Sequence, residues 1–274
     1  RSTALAQSML SALAEPFVLE GKDYRVTTSI GIARYPEDAQ DSANLIRNAD
    51  TALYHAKSCG RDNFQYYCQS MNSRAAERFE MVQSLRGAVD REELTLYYQP
   101  KVEAVTGRIL GSEALLRWRD PERGIVNPAD FIPLAEETGL IQSIGEWVIQ
   151  TACEQTRRWQ QEFDPELKVA VNISPQQIRE IRLREVVVSA LWSSGLSASS
   201  LELEITESGL MHNEAVAVEV LSEIKEIGIG VSLDDFGTGY SSLSYLKRFP
   251  VDTVKIDRSF VTDMTVDRDD AAIV

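Results

Sequence analysis

From residue 91 onward, short β-branched apolar runs alternate with longer amphipathic stretches, and this alternation limits the fold more than any other feature of the chain. The strand-like runs are Leu94–Val102, Ile109–Leu115, Lys168–Ile173, Leu201–Ile205, Gly230–Leu233 and Thr253–Ile256. Helical stretches Pro128–Thr138, Ile141–Phe163, Pro175–Ser194 and Asn213–Ile227 lie between them. A strand-then-helix succession predicts a parallel sheet with helices outside it, as in an α/β, TIM-like (β/α)8 barrel. Six strand units occur where a closed barrel has eight, and the chain stops at AAIV while a helix is starting. The expectation is a barrel truncated at its C-terminus by about two strand–helix units.

Nearly every run closes on an acid or an amide. Glu113 follows RILGS, Asn172 lies in VAVNIS, and Glu204 and Glu207 lie in LELEITE. Asp234 and Asp235 close GVSLDD, and Lys255 and Asp257 lie in TVKID. Taken singly, each reads as an ordinary helix cap. Taken together they point to a site, because the carboxyl ends of parallel barrel strands converge on one face. Carboxylates gathered at low dielectric repel and raise each other's pKa, and divalent cations relieve this. Two cations about 3.5–4 Å apart can hold a water, ionise it near neutral pH and polarise a phosphodiester. Adjacent Asp234 and Asp235 offer a carboxylate to share between them. Strand alternation turns Lys255 away from Val254 and Ile256, into the mouth, with an ordinary surface lysine as the alternative. The segment DDFGTGYSSL is either a plain turn or a loop that positions the metals. It is not a P-loop, since no GK[ST] follows.

Other donors are scarce. The chain holds two histidines, His55 and His212, and three cysteines, Cys59, Cys68 and Cys153, spaced like no zinc motif. Histidine triads and zinc sites are therefore hard to build, and oxygen ligands favour Mg2+ or Mn2+. Calcium, which takes more ligands at longer distance, is expected to inhibit. A net charge of -14 repels nucleic acid polymers and anionic membranes. No apolar run nears the ~20 residues of a membrane span, and no signal peptide is visible. The expectation is a cytoplasmic chain cut from something longer, with any membrane anchor outside these residues.

The N-terminal quarter has a different texture. Residues 1–14 read as an amphipathic helix with Leu5, Met9, Leu10 and Leu13 on one side. Tyr24–Ala33 reads as a strand, Ser42–Lys57 as a helix capped by Asp41 or Ser42, and RDNFQYY as another strand. This α+β stretch is too short to bury a core alone. A polar helix at 69–90, striped by Phe79, Val82, Leu85 and Val89, leads onward. The expected organisation is a partial α+β domain at 1–68, a linker helix at 69–90 and the barrel at 91–274.

Several segments occur in a fixed order over residues 75–274: YYQP at Tyr97–Pro100, Glu113-Ala114-Leu115 within EALLRW, FIPLAEETGLI at Phe131–Ile141, VNIS at Val171–Ser174, LELEITES at Leu201–Ser208, DDFGTGYSSL at Asp234–Leu243 and KIDRSF at Lys255–Phe260. This part resembles the EAL family of cyclic di-GMP phosphodiesterases. The resemblance implies metal-dependent hydrolysis of cyclic di-GMP to linear pGpG in bacterial second-messenger signalling. It implies Glu113, Asn172, Glu204 and Asp234 as ligands of a first Mg2+ or Mn2+, and Asp234, Asp235 and Asp257 as ligands of a second. Lys255 is implied to orient the attacking water and stabilise charge, and Glu207 to steady the DDFGTG loop. Gln99, Leu115 and Arg117 are implied substrate contacts, Arg117 through a phosphate oxygen. The family's later AEGVE-like and QGY-like segments do not occur in this chain, so by itself it is expected to be weakly active or inactive. A homodimer through Ser241–Arg248 is also implied. Residues 1–68 resemble the second half of a GGDEF (diguanylate cyclase) domain through VTTSIGIARYPED and NADTALYHAKSCGRDNFQYY, with Lys57 and Arg61 at positions that contact nucleotide phosphates. The competing readings are a non-catalytic cyclic di-GMP receptor and a structural barrel whose strand-end acids only cap helices.

Overall fold

The computed structural model describes residues 2–19, 22–24, 26–179, 182–211, 214–237, 248–265 and 271–272. The chain divides into two units, Arg1–Met81 and Val82–Val274.

The first unit contains α1 (Ser2–Ala14), β1 (Phe17–Leu19), β2 (Lys22–Tyr24), β3 (Ile30–Ile32), α2 (Ser42–Ser58) and β4 (Phe64–Tyr66). β1 and β2 form an antiparallel pair, and β3 and β4 a parallel one with α2 as the crossover. Asp41 caps α2, its carboxylate accepting from the Asn44 amide at 2.8 Å. The long strand expected at Tyr24–Ala33 is shorter, because a ladder extends only as far as its partner, and β4 offers Phe64–Tyr66 alone. On α1 the buried positions are Ala6 and Leu10, spaced by one turn, while Leu5, Met9 and Leu13 are exposed. The helix α3 (Ser70–Leu85) ends before Val89, so the stripe expected through 69–90 is interrupted. Leu85 is buried and Phe79 is exposed.

The second unit begins with β5 (Leu94–Val102), β6 (Ile109–Asp120), β7 (Gly124–Val126), α4 (Pro128–Thr138), α5 (Ile141–Glu162) and β8 (Lys168–Asn172). It continues with α6 (Pro175–Arg179), α7 (Leu183–Ser194), β9 (Leu201–Thr206), α8 (Glu207–Met211), α9 (Glu214–Ile227), β10 (Gly230–Phe236), β11 (Thr253–Ile256) and α10 (Arg258–Asp263). The strand order is β11-β10-β9-β8-β6-β5, with β7 beside β6. β6, β8, β9, β10 and β11 run parallel, giving an arc of a TIM-like α/β barrel. Among the described residues the arc is open, with β5 and β11 at its edges.

Two expectations need correction. The sheet is not wholly parallel: β5 pairs antiparallel with β6. The link from Val102 to Ile109 is too short for a crossover and closes as a hairpin, with Gly107 at φ +72°. The stretch Pro175–Ser194 is two helices, α6 and α7, rather than one.

Alternation along the strands sorts the two sheet faces. Val169, Val171, Leu203, Ile205, Val231 and Leu233 face outward and are buried on the side packed by α5, with Ile144, Val148 and Ile149 buried, and by α9, with Leu221 and Ile224 buried. The inner face carries Gly111, Glu113, Ala170, Asn172, Glu202, Glu204, Ser232, Asp234 and Lys255. At the end of β6, Trp118 is fully buried edge-on to Phe131, with ring centroids 5.6 Å apart. Its indole N–H donates to Glu93 at 3.2 Å, and Arg91 holds the same carboxylate at 2.6 Å.

Phe131→Ala should remove this anchor and lower stability by ~3–5 kcal/mol, read from urea denaturation. Cys153 gives a second check. It is fully buried, and burial pushes its thiol up to about 12, whereas Cys59 and Cys68 are exposed. A thiol-specific chromophoric reagent should titrate two thiols in the native chain and three after unfolding. Because the folded state keeps this proton while the unfolded thiol loses it near 9, the contribution of Cys153 to stability should fall as pH rises above that value.

Candidate metal centre

Parallel register brings the inner-face polar residues together. Asn172 and Ser232 both pair with Glu204, and Gln99 pairs with Glu113. One carboxylate oxygen from each of Glu113, Glu204 and Asp234 lies within 4.8 Å of the other two. The Lys255 ammonium sits among them, donating to Glu204 Oε2 at 2.5 Å, Asp234 Oδ2 at 3.0 Å and Glu113 Oε2 at 3.2 Å. The amide nitrogen of Asn172 donates to Glu113 Oε1 at 2.8 Å, leaving the amide oxygen as the atom available to a cation.

Lys101 adds a contact that sequence reading missed. It donates to Glu204 Oε1 at 2.8 Å and to Glu202 Oε1 at 2.9 Å. Its signal was present: in YYQPK, two-residue alternation places Lys101 on the same face as Gln99. The Glu204 side chain is 0% exposed, and each of its oxygens is held by a lysine. Burial raises the Glu204 pKa, and the two lysines offset this only in part. Burial works against the charge of each lysine, but for Lys255 the carboxylates of Glu204, Asp234 and Glu113 outweigh it and hold the ammonium above its usual range. For Lys101, Glu204 and Glu202 do the same.

Asp235 reaches the site by a different device. Between Leu233 and Phe236 the β10–β11 register shifts by one residue, and Asp235 takes a left-handed φ of +53°. In a regular strand, Asp234 and Asp235 would face opposite ways. The bulge re-aims the second one. Its carboxyl is pushed up by burial first, then by the nearby charges of Asp234, Asp257 and Glu113, against a smaller lowering from Lys255. Asp257 caps α10 and is held below the usual carboxylate range by its bonds from Ser259. Asp235 and Asp257 therefore stand beside the cluster of Glu113, Glu204 and Asp234 rather than inside it.

Glu207 opens α8, is buried, and accepts from the Gly237 amide at 3.4 Å, at the start of the glycine-containing loop. Gly237 has φ +99°, and a Cβ there would meet the Phe260 ring at 2.7 Å, so the position demands glycine. Most of that loop and of the expected dimer segment, residues 238–247, lies outside the described residues. Gln99 is exposed, and Leu115 and Arg117 are half-buried on the same inward face. Arg117 lies over the Tyr97 ring at 5.5 Å and donates to the Leu116 carbonyl at 2.8 Å. A cleft of about 810 Å³ lies toward the strand starts and shares Lys101 and Lys255 with the centre, but none of the three clustered carboxylates lines it.

The donor set suits a hard divalent cation. It consists of carboxylate and amide oxygens, without sulfur or imidazole, and the buried Ser232 hydroxyl beside Glu204 has no hydrogen-bond partner. Among the described residues, no helix is long and apolar enough to cross a membrane.

The profile of the EAL domain matches residues 82–274, and that of the diguanylate cyclase GGDEF domain matches residues 1–63. The bifunctional diguanylate cyclase/cyclic di-GMP phosphodiesterase MucR of Pseudomonas aeruginosa is 44% identical over 273 residues, covering 100% of this chain. The cyclic di-GMP phosphodiesterase NbdA of the same organism is 39% identical over 269 residues, covering 98% of this chain. The chain spans 40% of the length of MucR and 34% of that of NbdA. A solved structure of the PaMucR phosphodiesterase in complex with c-di-GMP superposes with a TM-score of 0.67 at 46% identity, covering 71% of this chain and 78% of that one.

Lys255→Met should leave the three carboxylates without their shared ammonium. In the presence of a chelator, urea denaturation should show a loss on the order of 1–3 kcal/mol. An unchanged midpoint would mean that the acids are solvated individually.

Proposed function

The chain belongs to the EAL-domain family, with a GGDEF-domain segment ahead of the EAL portion, and from that premise we propose that its EAL portion serves the hydrolysis of cyclic di-GMP to linear pGpG in bacterial second-messenger signalling. The observation that carries the reading is the gathering of Glu113, Glu204 and Asp234 around a single cationic point. An acidic cluster of this kind is costly to fold unless a cation belongs there.

In this reading Glu113, Asn172, Glu204 and Asp234 hold a first Mg2+ or Mn2+, and Asp234, Asp235 and Asp257 hold a second. Bound there, two divalent ions supply Lewis acidity that polarises the phosphodiester and brings water toward hydroxide at neutral pH. Lys255 orients the attacking water and stabilises charge on the phosphate. Glu207 steadies the loop that begins at Gly237. Arg117 binds a phosphate oxygen, and Gln99 and Leu115 position the nucleotide. The EAL portion works in the cytoplasm as a homodimer, and neither a nucleic acid polymer nor a membrane is a partner of these residues.

The test has two readouts. Titration of the chain with Mn2+ should reveal a divalent site. A receptor that needs no metal would bind cyclic di-GMP without one, and a purely structural barrel would bind neither. Turnover is followed by chromatography of pGpG, in the chain continued through two further strand–helix units. Asp234→Asn, which removes the shared ligand, should abolish turnover, and a wild-type rate in that variant would overturn the two-ion assignment. Calcium in place of magnesium should suppress the reaction, since it spreads the ligand shell.

A further inference from the structure

We propose that Lys101 is a positioning residue for the metal centre: it fixes one oxygen of Glu204 so that the other faces the cation. The inference rests on the metal-dependent reading above and names a residue outside the ligand set proposed there.

The two oxygens of Glu204 have separate tasks. Oε2 faces the point shared with Glu113 Oε2 and Asp234 Oδ2, at present taken by the Lys255 ammonium. Oε1 faces away from that point and accepts from Lys101 at 2.8 Å. A cation entering the cluster competes with Lys255 for the same three oxygens, and the bond from Lys101 is outside that competition. Lys101 is itself anchored, because it also donates to Glu202 Oε1 at 2.9 Å. Glu202 and Glu204 are two residues apart on β9 and face the same way, so a single ammonium bridges both. The result is a carboxylate, wholly buried, that cannot turn without breaking a charged hydrogen bond. Partners of this kind, lying behind the ligands, orient them and tune their affinity for metal.

Charge alone predicts the opposite outcome. As a nearby positive charge, Lys101 repels a divalent ion, and its removal would tighten binding. As a positioning group, its removal loosens the ligand and weakens binding. The sign of the effect separates the two.

The experiment is calorimetric titration of the whole chain with MnCl2, comparing wild type, Lys101→Met and Lys101→Arg. Circular dichroism melts without metal establish that each variant is folded. Lys101→Met keeps the length of the stem and removes the donor, and should weaken Mn2+ binding by about 10- to 100-fold. Lys101→Arg restores a charged donor and should recover part of the loss. Should the Met variant not fold, Lys101→Ala, which leaves room for water, is read in the same way. A lowered melting point with unchanged Mn2+ affinity would reduce Lys101 to a structural ion pair and overturn the proposal, as would tighter binding. Both results leave the metal-dependent reading standing. A wild-type chain with no Mn2+ site overturns that reading and the proposal together.

Discussion

The inner wall of this sheet concentrates like charge, and the rest of the arrangement answers to that. Two-residue alternation and parallel register force Glu113, Glu204 and Asp234 to one place, and no apolar packing can relieve their repulsion. Two ammonium groups do so in the chain as it stands. Both lysines are held above their usual range, and Glu204 stays above its own despite them, so the compensation is incomplete. Burial of ion pairs is seldom the most stable solution available to a core, since well-packed apolar residues do as well or better. The opposite face of the same strands shows that solution, with Val169, Val171, Leu203, Ile205, Val231 and Leu233 beneath the helices. The inner face departs from it with a cluster of oxygen donors that suits a cation.

The same rim carries a backbone irregularity. The register shift in β10 and the left-handed Asp235 cost about 1–2 kcal/mol in local conformation. In return, two consecutive carboxylates reach one neighbourhood, which a regular strand forbids. Gly237 follows two residues after Asp235, packed against Phe260 and tied to Glu207. Strain stored at such a place is retained when the surroundings over-determine it, and here the partners come from β9, β11 and the two helices that carry Glu207 and Phe260.

Much of this was legible from the sequence, for identifiable reasons. The strand–helix rhythm fixed the fold class, and the polar residue at each strand end marked the converging face. The capping of α2 by Asp41 followed from side-chain chemistry. The antiparallel β5 could have been read from the short Val102–Ile109 link, but the alternating texture around it drew that strand into the parallel pattern. Lys101 escapes a reading of the sequence because a lysine in a strand reads as surface until its register is known. The bulge at Asp235 leaves no composition signal, since nothing in GVSLDDF distinguishes a bulged strand from a regular one. The division of Pro175–Ser194 into two helices was hidden by a continuous helical pattern, and the extent of β3 depended on a partner thirty-four residues away, Phe64 opposite Ile30.

The reversed direction of β5 has a consequence for the centre. Paired antiparallel to β6, it places Gln99 opposite Glu113 and Lys101 opposite Gly111, while Tyr97 stands opposite Leu115. Moving up the inner face along β6, the neighbours are therefore an ammonium, then an amide, then an aromatic ring beneath the Arg117 guanidinium. The cationic end lies under the acids, where it balances them from behind. The amide and the ring lie at and above them, toward the carboxyl end of β6. Gly111 has no side chain because a Cβ there would lie 2.2 Å from the Lys168 carbonyl oxygen, so β6 and β8 approach closely at the level of Lys101. One hairpin at the start of the sheet thus supplies both the support beneath the carboxylates and the surface above them.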